Sequence, residues 1–152
     1  MPIDTLAIMA GGVVVCPGCG TRNRVPDAAP TGGPRCGSCK AALPWLVDVG
    51  DAGFDSAVDT TRLVLVDLWA PWCGPCRMVA PILEKLSTDL AGTIKVVKVN
   101  VDESPMVAGR YNASSIPMLL FMRHGELVDK VVGAQPERIL RERIDALLVG
   151  RV

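Results

Sequence analysis

Three cysteine pairs share one spacing: CPGC at 16–19, CGSC at 36–39 and CGPC at 73–76. A C-x-x-C pair supports two kinds of chemistry. Its sulfurs can close on a metal ion, with a second pair completing a tetrahedron. Alternatively they cycle between dithiol and disulfide, one thiolate attacking a substrate disulfide and the other resolving the mixed product. Surroundings separate the three pairs. Cys16, Cys19, Cys36 and Cys39 lie in sequence rich in Gly, Pro and Arg, with 16 residues between Cys19 and Cys36. That separation fits a zinc site built from two C-x-x-C turns. Cys73 and Cys76 instead come after a nearly continuous apolar run, LVLVDLW (63–69), and stand beside Trp69 and Trp72.

The elements that must hold these residues emerge from pattern. LVLVDLW and IKVVKVNV (94–101) read as buried strands. Between them a helical period starts after Pro75, with Cys76, Val79, Ala80, Leu83, Leu86 and Leu90 on one face, and Pro81 is expected to bend it. Strand, helix, strand is a right-handed βαβ unit. A short helix near 104–111, a hairpin of PMLLFM (117–122) and ELVDKVV (126–132), and a closing helix over 136–149 complete an α/β region. Residues 13–44 carry few large apolar side chains, and PDAAPTGGP (26–34) is a loop by composition. Such a segment needs a staple, which a metal supplies along with folding free energy. The chain thus divides into a tail of unassigned role (1–12), a zinc ribbon (13–48) and an α/β domain (49–152).

On this scaffold Cys73 stands where a strand gives way to a helix. Unpaired N–H groups and the positive end of the helix dipole stabilise a thiolate there. Cys76, one turn on and facing the core, is expected to be less exposed. Cys73 is then the attacking group and Cys76 the resolving one. Gly74 permits close approach of another backbone, and Pro75 suits a first helical turn. The competing reading makes this pair half of a zinc site. Asp67 interrupts an apolar strand, so burial should raise its pKa and suit it to accept the Cys76 proton. Lys98, in the neighbouring strand, is its natural partner; the alternative is an ion pair with no role in the chemistry.

Residues 50–152 resemble thioredoxins. The resemblance rests on WAPWCGPCRM (69–78), VDLWA before it, KVNVDE after the second strand, SIP (115–117), the HGE turn and VVGA (131–134). It implies a mixed central sheet flanked by helices and protein-disulfide reduction through Cys73 and Cys76. It also implies that Pro117 is cis and faces the disulfide, although by sequence alone this proline could simply open a strand. Ile116 would then pair its backbone with an extended substrate segment. Trp72, Gly74, Pro75, Ile116, Gly133 and Ala134 correspond to the family's apolar docking rim. The residue after this proline is usually Thr in the family and is Met118 here, a departure that bears on substrate preference. A zinc ribbon ahead of a CGPC domain resembles the thioredoxin-2 class, which extends the likeness to residues 13–152. That context implies electrons from NADPH through thioredoxin reductase, and disulfide-containing proteins as partners.

Other classes are weighed against this. Lys plus Arg and Asp plus Glu balance at 16 each in 152 residues, which gives no bulk electrostatic case for nucleic acid or anionic membrane. Arg22, Arg24, Arg35 and Lys40 put charge on the ribbon, but Asp27 and Asp48 offset part of it and aromatics are not interleaved. No apolar run reaches the ~20 residues of a membrane span. The N-terminus has no basic residue ahead of its apolar stretch, so no secretion signal is read and a reducing, cytoplasmic setting is expected. There the outer cysteines suit zinc better than structural disulfides, with a redox or zinc-sensing role left open. His124 is read as a solvated turn residue. Two other functions stand beside the reductase: a ribbon-based binding or targeting module with the domain as platform, and an oxidase or isomerase of an oxidising compartment. A monomer is the default.

Overall fold

The computed structural model describes residues 12–29 and 32–150; the tail read over 1–12 falls outside them apart from Gly12. β1 (Val13–Val15) and β2 (Arg22–Arg24) pair as a small antiparallel hairpin, and an isolated bridge joins Arg35 to Ala42. The main sheet has five strands: β3 (Leu46–Asp48), β4 (Leu63–Trp69), β5 (Ile94–Asn100), β6 (Met118–Arg123) and β7 (Glu126–Val132). Their spatial order is β3-β5-β4-β6-β7. β3 and β4 run parallel to β5, while the β4–β6 and β6–β7 pairs are antiparallel. The helices are α1 (Phe54–Val58), α2 (Gly74–Asp89), α3 (Pro105–Arg110) and α4 (Glu137–Val149). This is the mixed α/β architecture expected, with the βαβ unit, the hairpin and the closing helix in place.

Three details add to the pattern reading. β3, only three residues long, joins the main sheet, so the seam drawn after residue 48 falls at the end of one of its strands. α1 is too short to show a helical period. α2 runs on through Pro81, whose missing N–H leaves the Arg77 carbonyl without its helical donor. Both residues are exposed, so water can take that place.

β4 alternates strictly between two cores. Val64, Val66 and Leu68 face one side with Val97, Val99 and Phe54, while Leu63 and Leu65 face α2 and α4 with Val96, Leu83 and Ile144. The ribbon shares the first core: Cys16, Val25, Cys36, Leu43 and Trp45 are buried in it. Trp45 ties the two regions, donating its indole N–H to the Pro26 carbonyl at 2.8 Å. The fully buried Lys95 sits over the same ring at 4.1 Å and donates to the carbonyls of Asp27 (2.6 Å) and Ala57 (2.7 Å). Burial lowers its pKa to about 8. Trp45 lies at the level of Val96, near the start of β5, whereas Cys73 comes after the end of β4, where Trp69 pairs with Asn100. The ribbon and the central pair therefore occupy opposite ends of the parallel strands.

Candidate active site and metal centre

Cys73 is the N-cap of α2, and its Sγ accepts the Cys76 backbone N–H at 3.2 Å. Cys73 and Cys76 are joined as a disulfide with Cα atoms 5.3 Å apart. Once reduced, a Cys73 thiolate at this position meets both that donor and the positive helix end. The expected difference in exposure is not found, because both cysteines are 4% exposed. Cys73 is covered by its packing with Ala70, Trp69 and Ile116. The two differ in direction. Cys73 Sγ lies 3.8 Å from the Ile116 carbonyl oxygen, just ahead of β6, whereas Cys76 lines a cleft of about 280 Å³ with Trp69, Ala80 and Lys98.

The Ile116–Pro117 peptide bond is cis. The Gly133 N–H donates to the Pro117 carbonyl at 2.8 Å, which brings the VVGA turn beside the proline. Gly133 has φ +93, a conformation that favours glycine. Gly74, Pro75 and Ala134 are exposed and Ile116 is half-buried. Trp72 is 67% exposed, its indole N–H held at 3.0 Å by Asp102. Ile116 packs against the two cysteines, Trp72, Gly74 and Pro75 adjoin them in the chain, and Asp102 is an anchor that sequence reasoning passed over.

Asp67 is 1% exposed, and neither carboxylate oxygen has a hydrogen-bond partner. Burial pushes its pKa up to about 6, against the pull of Lys98 and with a further push from Asp48. Asp67 and Lys98 are register partners on β4 and β5, yet the Lys98 ammonium lies 5.0 Å from the centre of the Trp69 ring and makes no hydrogen bond to the carboxylate. Their coupling acts through space rather than through contact.

The four outer cysteines converge: the sulfurs of Cys16, Cys19, Cys36 and Cys39 all lie within 4.8 Å of one another. A tetrahedral zinc with ordinary Zn–S bonds sets sulfurs about 3.8 Å apart. Here Cys16 and Cys39 are 3.6 Å apart and Cys19 and Cys36 are 3.5 Å apart, so the set fits that ion. Backbone builds both turns alike. Cys16 N–H bonds Thr21 O and Gly20 N–H bonds Cys16 O; Cys36 N–H bonds Ala41 O and Lys40 N–H bonds Cys36 O. Gly20 (φ +80) and Lys40 (φ +67) close the turns in left-handed geometry. The second turn thus closes at a lysine where the first closes at a glycine. The Cys36 thiol is pulled down to about 5, chiefly by the Cys39 N–H, whereas Cys39 is raised to about 11, with neighbouring thiols overcoming the Ala41 N–H. Four sulfurs this close cannot all ionise unless a cation joins them. Asn23 ties the halves together. It donates to Thr21 O and lies 3.5 Å from Cys36 Sγ, and its Oδ1 accepts the Gly37 N–H at 2.9 Å. A lone Asn in a short polar strand carries no periodicity signal, so sequence missed it.

Among the described residues, no helix is long and apolar enough to cross a membrane. The thioredoxin profile matches residues 46–146, and a profile described as thioredoxin 2, N-terminal, matches residues 15–41. Thioredoxins of Staphylococcus aureus strains Mu50, MW2 and N315 are each 49% identical over 100 residues, covering 66% of this chain and 95% of the relative. A match that runs from β3 into α4 is a match to the scaffold that carries the disulfide, and the chain belongs to the thioredoxin family of thiol–disulfide oxidoreductases.

Proposed function

We propose that the chain reduces protein disulfides with Cys73 as the attacking thiol, Cys76 as the resolving thiol and Asp67 as the proton acceptor for Cys76. The observation that carries this reading is the Cys73 sulfur at the head of α2, with the Cys76 N–H on one side and the Ile116 carbonyl on the other. An extended substrate strand can pair with the backbone at Ile116 while its disulfide meets Cys73. Trp72, Gly74, Pro75, Gly133 and Ala134 give the partner apolar surface to cover. Cys73 thiolate attacks one substrate sulfur, the substrate S–S bond breaks, and the other sulfur leaves as a thiolate. Cys76 then loses its proton to Asp67 and attacks Cys73. This closes the Cys73–Cys76 bond and releases the second substrate thiolate, so the substrate gains two electrons and the protein loses two. Lys98 and Pro117 complete the site, the first electrostatically, the second by shaping the wall opposite Cys73.

Electrons return from NADPH through thioredoxin reductase in this reading, and a cytoplasmic monomer is its setting. Residues 13–48 hold one structural zinc through Cys16, Cys19, Cys36 and Cys39, while residues 49–152 do the exchange. Zinc there supplies folding free energy, with no step of the exchange passing through it. The roles of the two thiols are tested by trapping. Cys76→Ser should accumulate mixed disulfides with protein partners through Cys73, visible on non-reducing gels and released by dithiothreitol. Accumulation in Cys73→Ser instead would reverse the assignment.

A further inference from the structure

Asp67 on β4 and Asp48 on β3 are both register partners of Lys98 on β5. Three ionisable residues therefore form one row across three adjacent parallel strands. Side chains in register on a parallel sheet share a face. The face here is the α2 side, since Leu46 and Val96, two residues earlier on β3 and β5, pack in the core with Leu83 and Leu86. Lys98 stands in the middle of the row and lines two clefts. One, of about 280 Å³, reaches Cys76; the other, of about 450 Å³, reaches Asp48, Glu103 and Ser104. Trp69 borders both and lies under the ammonium.

We propose that Asp48 is a positioning residue for the proton-transfer step: it draws the Lys98 ammonium toward β3 and keeps the Asp67 carboxyl able to hold a proton near neutral pH. The inference rests on Asp67 being the acceptor for Cys76. A lone Lys98 beside Asp67 would favour the carboxylate and leave a weak base. A second carboxylate on the far side divides the cation's attraction and adds its own repulsion. The directions agree. Asp48 raises Asp67 while Lys98 lowers it, and Asp48 itself, solvent-exposed but partly desolvated by the cleft wall, is raised, with Lys98 pulling it down and Asp27 pushing it up. The other groups facing the row leave it unopposed. β6 presents Leu119 opposite Asp67, α2 presents Cys76 in the cleft, and Glu103 lines the Asp48 side. The row needs no metal, and Asp27 of the ribbon loop adds to its negative charge.

The test is a pair of pH titrations on the full chain. Carboxyl carbon NMR of Asp67 in the disulfide form reads its midpoint directly. The pH–rate profile for reduction of insulin disulfides reads the same group at work. Asp48→Asn should lower both midpoints by about one pH unit, the size expected for a charge two strands away at an effective dielectric near 20. Asp48→Glu should restore them, which a merely structural role for the side chain would not require. Lys98→Met should move the NMR midpoint upward. An unmoved Asp67 midpoint in Asp48→Asn overturns the proposal. A kinetic limb that survives in Asp67→Asn overturns the acceptor reading, and the proposal with it.

Discussion

The outer pairs and the central pair share a spacing and differ in everything the backbone does with it. At Cys16–Cys19 and Cys36–Cys39 the chain turns back on itself, bonds the residue after each pair to its first cysteine, and closes at a left-handed residue. This aims two sulfurs at one point, and the opposing turn supplies two more. At Cys73–Cys76 the chain runs straight into a helix, so the two sulfurs meet each other and no second pair faces them. Neighbouring residues decide the outcome: Gly20 or Lys40 ends a turn, whereas Pro75 and the apolar period behind it propagate α2. Spacing alone says little about a C-x-x-C pair. The backbone on its C-terminal side determines whether it grips a metal or exchanges electrons.

The comparison can be pressed at the joint between the regions. Trp45 is fully buried, bonds the ribbon loop and is stacked by Lys95. Trp45→Ala should cost about 3–5 kcal/mol, the range for a large aromatic removed from a core. Chemical denaturation monitored by zinc release and by Trp fluorescence should show both regions weakened together. A loss confined to the ribbon would make it an independent bead.

A second test concerns the central region alone. Asp67 has a folded pKa near 6 against an ordinary 3.8. For an acid raised on folding, the ionised form is penalised in the native state. Native stability is therefore undiminished below the unfolded pKa and falls as pH rises toward 6. At about 1.4 kcal/mol per unit the penalty reaches about 3 kcal/mol. Asp67→Asn should be more stable than the wild type by that amount at pH 8 and by almost nothing near pH 3, as urea midpoints across pH would read. The same variant should reduce insulin about 100-fold more slowly near pH 7, with the gap closing below pH 6, where Asp67 itself holds a proton. Equal stability at both pH values would mean the carboxylate is solvated after all.

The smallest effect separates the two outer turns. Lys40 occupies a left-handed position that Gly20 fills without strain. Lys40→Gly should raise the thermal midpoint slightly, by at most about 1 kcal/mol in stability, offset in part by loss of the Lys40 bond to the Gly37 carbonyl. A clear loss of stability would place the value of Lys40 in that bond.

Much of the fold and the site is legible in the sequence because it lies in strong local patterns. The continuous apolar run of β4, the period of α2 behind Pro75, and the hairpin around His124 and Gly125 each announce themselves. Asp67 stands out because a carboxylate in such a strand has no cheap explanation. Residues that act across the chain are harder to see. Asn23, Trp45 and Lys95 sit in short or mixed stretches and gain their meaning from partners between 13 and 68 positions away. The equal burial of Cys73 and Cys76 escapes sequence reasoning for a related reason: Cys73 is covered by Ile116, which the fold brings from far along the chain.

The most direct test of the division of labour is zinc content by elemental analysis of protein purified under reducing conditions, for the wild type, Cys16→Ala and Cys73→Ala. The expected result is about one zinc per chain in the wild type and in Cys73→Ala, and none held tightly in Cys16→Ala. Zinc lost from Cys73→Ala, or absent from the wild type, would contradict the separation of the three pairs into two jobs.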